Sequence, residues 1–339
     1  MSTFLQPGAL VISLDFELHW GIRDKCPPDG AYITNIRGAR TGIPAMLALF
    51  ERYQVAATWA AVGLLFARNR EEQLAFSPAI RPHYANSRMN PYLEPVGRNE
   101  DDDPLHFGHS VLCRIAETPR QEIASHTYCH YFCLEEGQTI EAFRADLDAA
   151  QRIARETLGI QLRSIAFPRN QFRPEYLPAL AETGFTNYRG NQAGFFYKPN
   201  DNARQTSSWM RAGRFIDAYI PVSASSLVPW SAVRNHPHGL ADVRASRFLR
   251  PFHPRLRWID RTLRVARMKN EMRQAARQGC LYHLWWHPHN FGLYTSESLQ
   301  ILDGLLREYC DLRDRFGFES LTMAEAAQFA NAGVGGLAA

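Results

Sequence analysis

ALVISLDFE occupies residues 9–17, a continuous apolar run that ends in two acids. A short run of this kind, flanked by Pro7 and Gly8, predicts a strand buried on both faces. Residues 27–30, PPDG, follow as a turn-rich loop. In GIPAMLALFERYQ (42–54), Ile43, Met46, Leu47 and Phe50 recur at helical spacing, and Pro44 suits a first turn. VAATWAAVG (55–63) then predicts a second strand. Strand, helix, strand in this order is a βαβ unit, and its strands pair in parallel.

The same alternation continues downstream. Residues 121–130, QEIASHTYCH, predict a short strand running into a loop or helix start. Residues 139–160 predict an amphipathic helix with Thr139 as N-cap and Gly159 as its stop. LRSIAFPRN and FTNYRG predict further strands, 241–278 a basic helical stretch, and CLYHLWWHP a last apolar strand. The expected architecture is one α/β domain over 1–330, barrel-like, with insertions at about 68–120 and 191–278. Residues 331–339 are expected to form a flexible tail.

The 339-residue chain is 45% hydrophobic, 21% charged and carries a net charge of +4, as an ordinary globular enzyme does. Its six cysteines are scattered, with no C-x-x-C pair. The N-terminus lacks the pattern of a signal peptide, and no apolar stretch is long enough to span a bilayer. A reduced, cytoplasmic protein is expected. Residues 244–277 hold eleven Arg or Lys against two acids. They predict either a solvated helix face or a cradle for phosphates, on a nucleotide sugar or at a membrane surface. No nucleic-acid motif accompanies this charge, and nucleic acid is not an expected partner.

Asp15 and Glu17 fall two apart at a strand end, so both side chains point to one face, about 6.5 Å apart. Their place after a buried strand in a barrel pattern favours a shared site over a solvated strand end. His126 and His130, at i and i+4, would meet on one face of a helical turn and suit zinc or a similar divalent ion. Two histidines and a carboxylate leave room for water and substrate. Cys129 and Cys133 suggest a rival, a structural Cys/His zinc site on another face. His287 could serve as a general acid or pack as a structural histidine, the role expected of His283. Trp20, Trp285 and Trp286 form either a stacking platform for a sugar ring or part of the core. The substrate-contact candidates are Trp20, Trp286, His289 and Asn290. Arg169 either holds Asp15 ionised and oriented or lies at the surface.

These pieces, in this order, resemble the polysaccharide deacetylase superfamily, carbohydrate esterase family 4, from about Ala9 to Phe329. ISLDFE resembles its acidic motif, VAATWAAVG its second strand, EIASHTYCH its histidine motif, and LWWHP its final strand. IAFPRN stands where an Arg- or Pro-containing motif belongs, and SLTMAEAA resembles the closing segment. The resemblance implies an irregular (β/α)7 barrel. It also implies Asp15 as catalytic base, Glu17, His126 and His130 as metal ligands, and His287 as general acid. Arg169 would stand in for the family arginine, with its N–H helping to form an oxyanion hole. The cofactor implied is a divalent ion, zinc foremost.

The expected function is metal-dependent hydrolysis of an N-acetyl or N-formyl group from a sugar. The sugar would be nucleotide-activated or lipid-linked, in surface polysaccharide (O-antigen) or lipopolysaccharide biosynthesis, with peripheral membrane contact through 244–277. The alternatives are hydrolysis of a C–N bond in a small non-sugar amide and a non-catalytic carbohydrate-binding homologue.

Overall fold

The computed structural model describes residues 6–198, 207–219, 226–234 and 237–332. Its strands are β1 (Ala9–Phe16), β2 (Ala57–Ala61), β3 (Gln121–Ser125), β4 (Ser164–Ala166), β5 (Asn187–Arg189), β6 (Ala241–Asp242), β7 (Arg247–Phe248), β8 (Leu281–Trp286) and β9 (Glu319–Leu321). They pair in parallel in the order β6-β5-β4-β3-β2-β1-β8-β7. β9 lies along Ala9–Val11 of β1, below the point where β2 begins its pairing at Ser13.

The two ends of that order belong to one run of chain. β6 pairs with β5 and β7 with β8, and between them Ala245 N donates to Gly190 O while Ser246 N donates to His283 O. Residues 241–248 therefore act as one stave that closes the sheet. Counting it once gives the seven staves of an irregular (β/α)7 barrel among the described residues. The expectation that the basic stretch is helical from 241 is corrected here: helix begins only at 254–257 and runs to Gln278. The closing stave is short and mostly buried, and its inward and outward neighbours are both distant in sequence, so a local pattern could not reveal it.

All eight residues of β1 are buried. Leu10, Ile12, Leu14 and Phe16 point outward into the main core, packed under the barrel helices. The alternate residues face inward. Ala9 and Val11 meet Trp230, Met323 and Ala327, so the helix Met323–Ala332 plugs the lower end. Higher in the barrel, Ala60, Ala124 and Ala166 leave space for larger neighbours. Above them stand Ser13 and Asp15, so the inward face of β1 turns polar just where the strand reaches the C-terminal mouth.

Helix Ile33–Tyr53 crosses between β1 and β2 and begins well before the expected start, which places Pro44 inside it. Pro44 leaves one backbone hydrogen bond unmade, but the helix continues because Ile36, Ala39, Ile43, Met46, Leu47 and Phe50 bury one continuous face. Residues 68–120 contain short helical turns and end in helix His109–Glu117, which leads into β3. Within 191–278 the structure describes a helix at Ser208–Tyr219. Of the expected flexible tail, residues 331 and 332 end the last helix, and the remainder lies outside the described residues.

Candidate metal and catalytic centre

The mouth of the barrel opens into a cleft of about 520 Å³, within the size range of small-molecule sites. Asp15, Glu17, His130, Arg169, His287, His289 and Asn290 all line it. Glu17 lies just beyond β1, and the chain then turns through Leu18–Gly21. Gly21 makes that turn possible, because a Cβ there would fall 2.0 Å from the Glu17 carboxyl carbon. Any side chain at 21 would displace the Glu17 carboxylate.

Glu17 Oε2 is 3.0 Å from His130 Nε2 and 3.3 Å from His126 Nε2. All three side chains are buried, and their ligand-type atoms lie within 4.8 Å of one another. The helical turn expected for HTYCH is not what joins the two imidazoles. After β3 the chain bends through left-handed conformations at Thr127 (φ 62°) and His130 (φ 58°). Non-glycine residues adopt that region at a cost, and such strain persists where the surroundings enforce it. Here Asp146 enforces it: its carboxylate accepts the N–H of Tyr128 at 2.6 Å and of Cys129 at 3.1 Å. Gly63 lets the second strand's end pass close under the loop, since a Cβ there would lie 2.7 Å from Tyr128 Cα.

The donor set fits a divalent cation. His126 Nδ1 is 2.9 Å from the Ala166 carbonyl oxygen, which can only accept. That nitrogen therefore carries the proton, and Nε2 carries a lone pair. Nε2 is buried without a hydrogen-bond partner and faces a carboxylate oxygen, a repulsive arrangement unless a cation lies between them. Burial pushes the His130 imidazole down to about 3, more than Glu17 opposes, so it is neutral, as a ligand must be. Burial raises the Glu17 carboxyl, but His287, His126 and His130 outweigh this and hold it well below the usual carboxylate range.

Asp15 sits beside this group, 2% exposed. Its partner is Arg189 from β5: Nη1 reaches Oδ1 at 2.6 Å and Nη2 reaches Oδ2 at 2.7 Å, a bidentate pair. Arg189 also donates to Ser13 Oγ at 3.0 Å and lies over the Trp285 ring at 4.3 Å. Burial raises the Asp15 carboxyl, but Arg189 more than offsets that, and the group stays ionised. Arg169 does not hold Asp15. It pairs with Asp24 and lies over the Phe132 ring at 4.1 Å, at the rim of the same cleft. His287 Nε2 is 3.8 Å from Asp15 Oδ2 and 3.6 Å from Glu17 Oε1. It stacks on His289 with ring centroids 5.0 Å apart.

Two of the expected substrate contacts lie elsewhere. Trp20 is fully buried and donates to His106 O at 3.0 Å. Trp286 is fully buried against Phe50 and Phe291. Trp285 is a half-buried aromatic of the cleft, in line with His283 and His287 on the inward face of β8 and packed on Phe248 at 4.6 Å. His289 is buried in the cleft wall, and Asn290 Nδ2 is buried there with no hydrogen-bond partner. His283 is a buried structural histidine, bonded to Ser13 Oγ and Val243 O. Cys129 and Cys133 are buried free thiols, and neither belongs to a ligand cluster among the described residues. Arg189 was missed in the sequence, although an inward-facing cation at a strand end, just before Gly190, was a signal that could have found it.

Asp146→Ala leaves two buried N–H groups unsatisfied behind the histidine loop. Metal affinity is expected to fall about 10–100-fold, with a lowered Tm, while Asp146→Asn, which retains one acceptor, falls between. Competitive chelator titration reads the first and calorimetry the second.

A barrel that gathers two histidines, a carboxylate, an arginine-clamped aspartate and a further histidine at its C-terminal mouth holds the kinds of group that hydrolysis requires. Residues 24–188 match the family model described as polysaccharide deacetylase. With the fold, this supports the polysaccharide deacetylase superfamily, a family that in general implies deacetylation of sugars by hydrolysis of a non-peptide C–N bond. The matched segment includes His126 and His130, while Asp15, Glu17 and His287 lie outside it. No curated protein matches the sequence. Among solved structures, a Mycobacterium smegmatis chain described as a polysaccharide deacetylase is similar at a TM-score of 0.56 and 14% identity, covering 98% of this chain and 93% of that one. Puue allantoinase is similar at 0.54 and 13%, covering 96% and 91%. At such identities the likeness is one of fold.

Proposed function

We propose that the protein removes an acetyl or formyl group from the nitrogen of a sugar, using a divalent ion, zinc foremost, held by Glu17, His126 and His130. The observation that carries this is the meeting of Glu17 Oε2 with two histidine Nε2 atoms beside an arginine-clamped Asp15 and His287. When bound, the ion supplies a water of lowered pKa and polarises the amide carbonyl. Asp15 accepts the proton of the attacking water, and Arg189 keeps that carboxylate ionised and aimed. His287, beside Asp15 and Glu17, delivers a proton to the departing amine. The N–H of Arg169 is the candidate oxyanion donor. Trp285 offers a face for the sugar ring.

The cleft is also lined by Lys25, Lys198, Arg214, Arg247 and Arg250. Cations of this density suit a substrate carrying phosphate, as a nucleotide-activated or lipid-linked sugar does. Within 244–277 only Arg247 and Arg250 of the basic residues reach the cleft, and Arg247 is paired there with Asp217 and Glu271; Arg264, Arg267, Lys269 and Arg273 also pair with acids of the fold. Exposed Trp258 and Leu263 stand on one helix with exposed Arg255, Arg257 and Arg261, which supports peripheral contact with an anionic membrane and so a lipid-linked sugar. The six free thiols are in keeping with a cytoplasmic site of action.

The test is release of acetate or formate from N-acyl sugars, free and diphosphate-linked, before and after chelation and metal return. Release that depends on the ion is expected; none from any of these by fully loaded protein would remove the proposal. Arg250→Ala is expected to raise KM for the diphosphate-linked sugar about tenfold or more, and to leave KM for the free sugar unchanged. Added salt should act in the same direction.

A further inference from the structure

Away from the cleft, a second trio of ligand-type side chains converges. His19, Glu94 and His106 bring three donor atoms within 4.8 Å of one another. His19 Nδ1 is 2.9 Å from His106 Nε2 and 3.2 Å from Glu94 Oε1, and His106 Nε2 is 3.5 Å from the same oxygen. Four donors set tetrahedrally about zinc at ordinary bond lengths are about 3.3 Å apart, so these three edges bracket the right size.

The outer contacts fix which nitrogens hold protons. His19 Nε2 is 2.8 Å from the Cys26 carbonyl oxygen, an acceptor only, so Nε2 donates and Nδ1 is left with its lone pair. His106 Nδ1 is 2.7 Å from Asp103 Oδ2, so Nδ1 donates and Nε2 is left with its lone pair. Asp103 is itself held by the N–H groups of Gly97 and Leu105. Carboxylate behind histidine is the arrangement that orients metal-binding imidazoles. Two lone pairs therefore face each other at 2.9 Å, with a carboxylate oxygen beside both. A single added proton would make an imidazolium paired with Glu94 and Asp103, whereas a dication would serve all three donor atoms at once.

We propose that His19, Glu94 and His106 bind a second divalent ion of the zinc class, distinct from the one at the barrel mouth. Both imidazoles are buried, and the Glu94 side chain is 14% exposed, which leaves water a path to the remaining position. None of the three lines the cleft, so the ion has a structural role. It ties residues 94–106 to the turn that begins directly after Glu17. Trp20, from the same turn, adds a T-shaped contact on His106 at 4.9 Å. Loss of the ion would loosen the turn whose Gly21 admits the Glu17 carboxylate.

The experiment counts metal by mass spectrometry in protein stripped with chelator and reloaded with zinc. Wild type is expected to hold two equivalents per chain, and His126→Ala/His130→Ala and Glu94→Ala/His106→Gln one each. Zinc should still raise the Tm of His126→Ala/His130→Ala. Wild type with one equivalent, lost entirely in a folded His126→Ala/His130→Ala protein, would overturn the second site. Should that variant not fold, anomalous scattering at the zinc edge from wild-type crystals decides. A peak among His19, Glu94 and His106 upholds the proposal, and density at Glu17 alone overturns it. The donors of the two sites are different residues, so failure at one leaves the other standing.

Discussion

Asp15→Asn is expected to lower kcat by about 10²–10⁴-fold, the usual worth of one positioned proton acceptor, while metal content stays at the wild-type level. The substitution keeps shape and hydrogen-bonding reach but removes the charge that takes a proton from water. Asp15 is not among the atoms that close on His126 and His130, so its loss should not empty the site. The variant does leave the Arg189 guanidinium buried without its counter-ion, and that costs stability. Activity must therefore be measured per folded, metal-loaded molecule, with urea denaturation and metal analysis on the same preparation. A fully loaded Asp15→Asn protein that keeps more than a tenth of wild-type kcat would remove Asp15 as the base. His126→Ala separates the two roles, because there metal content and activity should fall together.

How far the site could be read from the chain depended on how local each relation was. Asp15 and Glu17 share a face because strand side chains alternate, and two residues suffice to see it. The same rule, applied to LWWHP, sets Trp285 with His287 and turns Trp286 to the core; the choice of Trp286 as a sugar contact overlooked that parity. His126 and His130 were found by spacing, yet the spacing suggests a helical turn, whereas the chain uses two left-handed residues held by Asp146. Asp146 is 16 residues beyond His130 on another element, and nothing in HTYCH announces it. Arg189 and Asp15 are 174 residues apart and meet only because β5 and β1 both face into one barrel. Arg169 was the nearer motif match, but Asp24 and Phe132 hold it. The barrel itself was legible from alternation of strands and helices, except for the stave at 241–248, whose neighbours are set by closure rather than by sequence order.

Arg189→Ala is expected to destabilise the fold by about 3–5 kcal/mol, the cost of leaving one charge of a buried pair unmatched, and to lower kcat as well. Arg189 is 1% exposed and makes two short bonds to Asp15 in a plane fixed by Ser13 and the Trp285 ring. Lysine keeps the charge but has no fork, so Arg189→Lys should recover more of the stability than of the kcat. That split separates positioning of the base from simple charge balance: if Arg189 only balanced charge, lysine would restore both alike. A second comparison guards against general damage. In Asp15→Asn/Arg189→Met neither buried charge remains, and apolar or neutral groups fill the space, a change that is often neutral or favourable. The double variant is expected to be more stable than Arg189→Ala alone, though inactive, with both read from urea midpoints and kcat. If it is no more stable, the unmatched Asp15 charge is not the source of the cost.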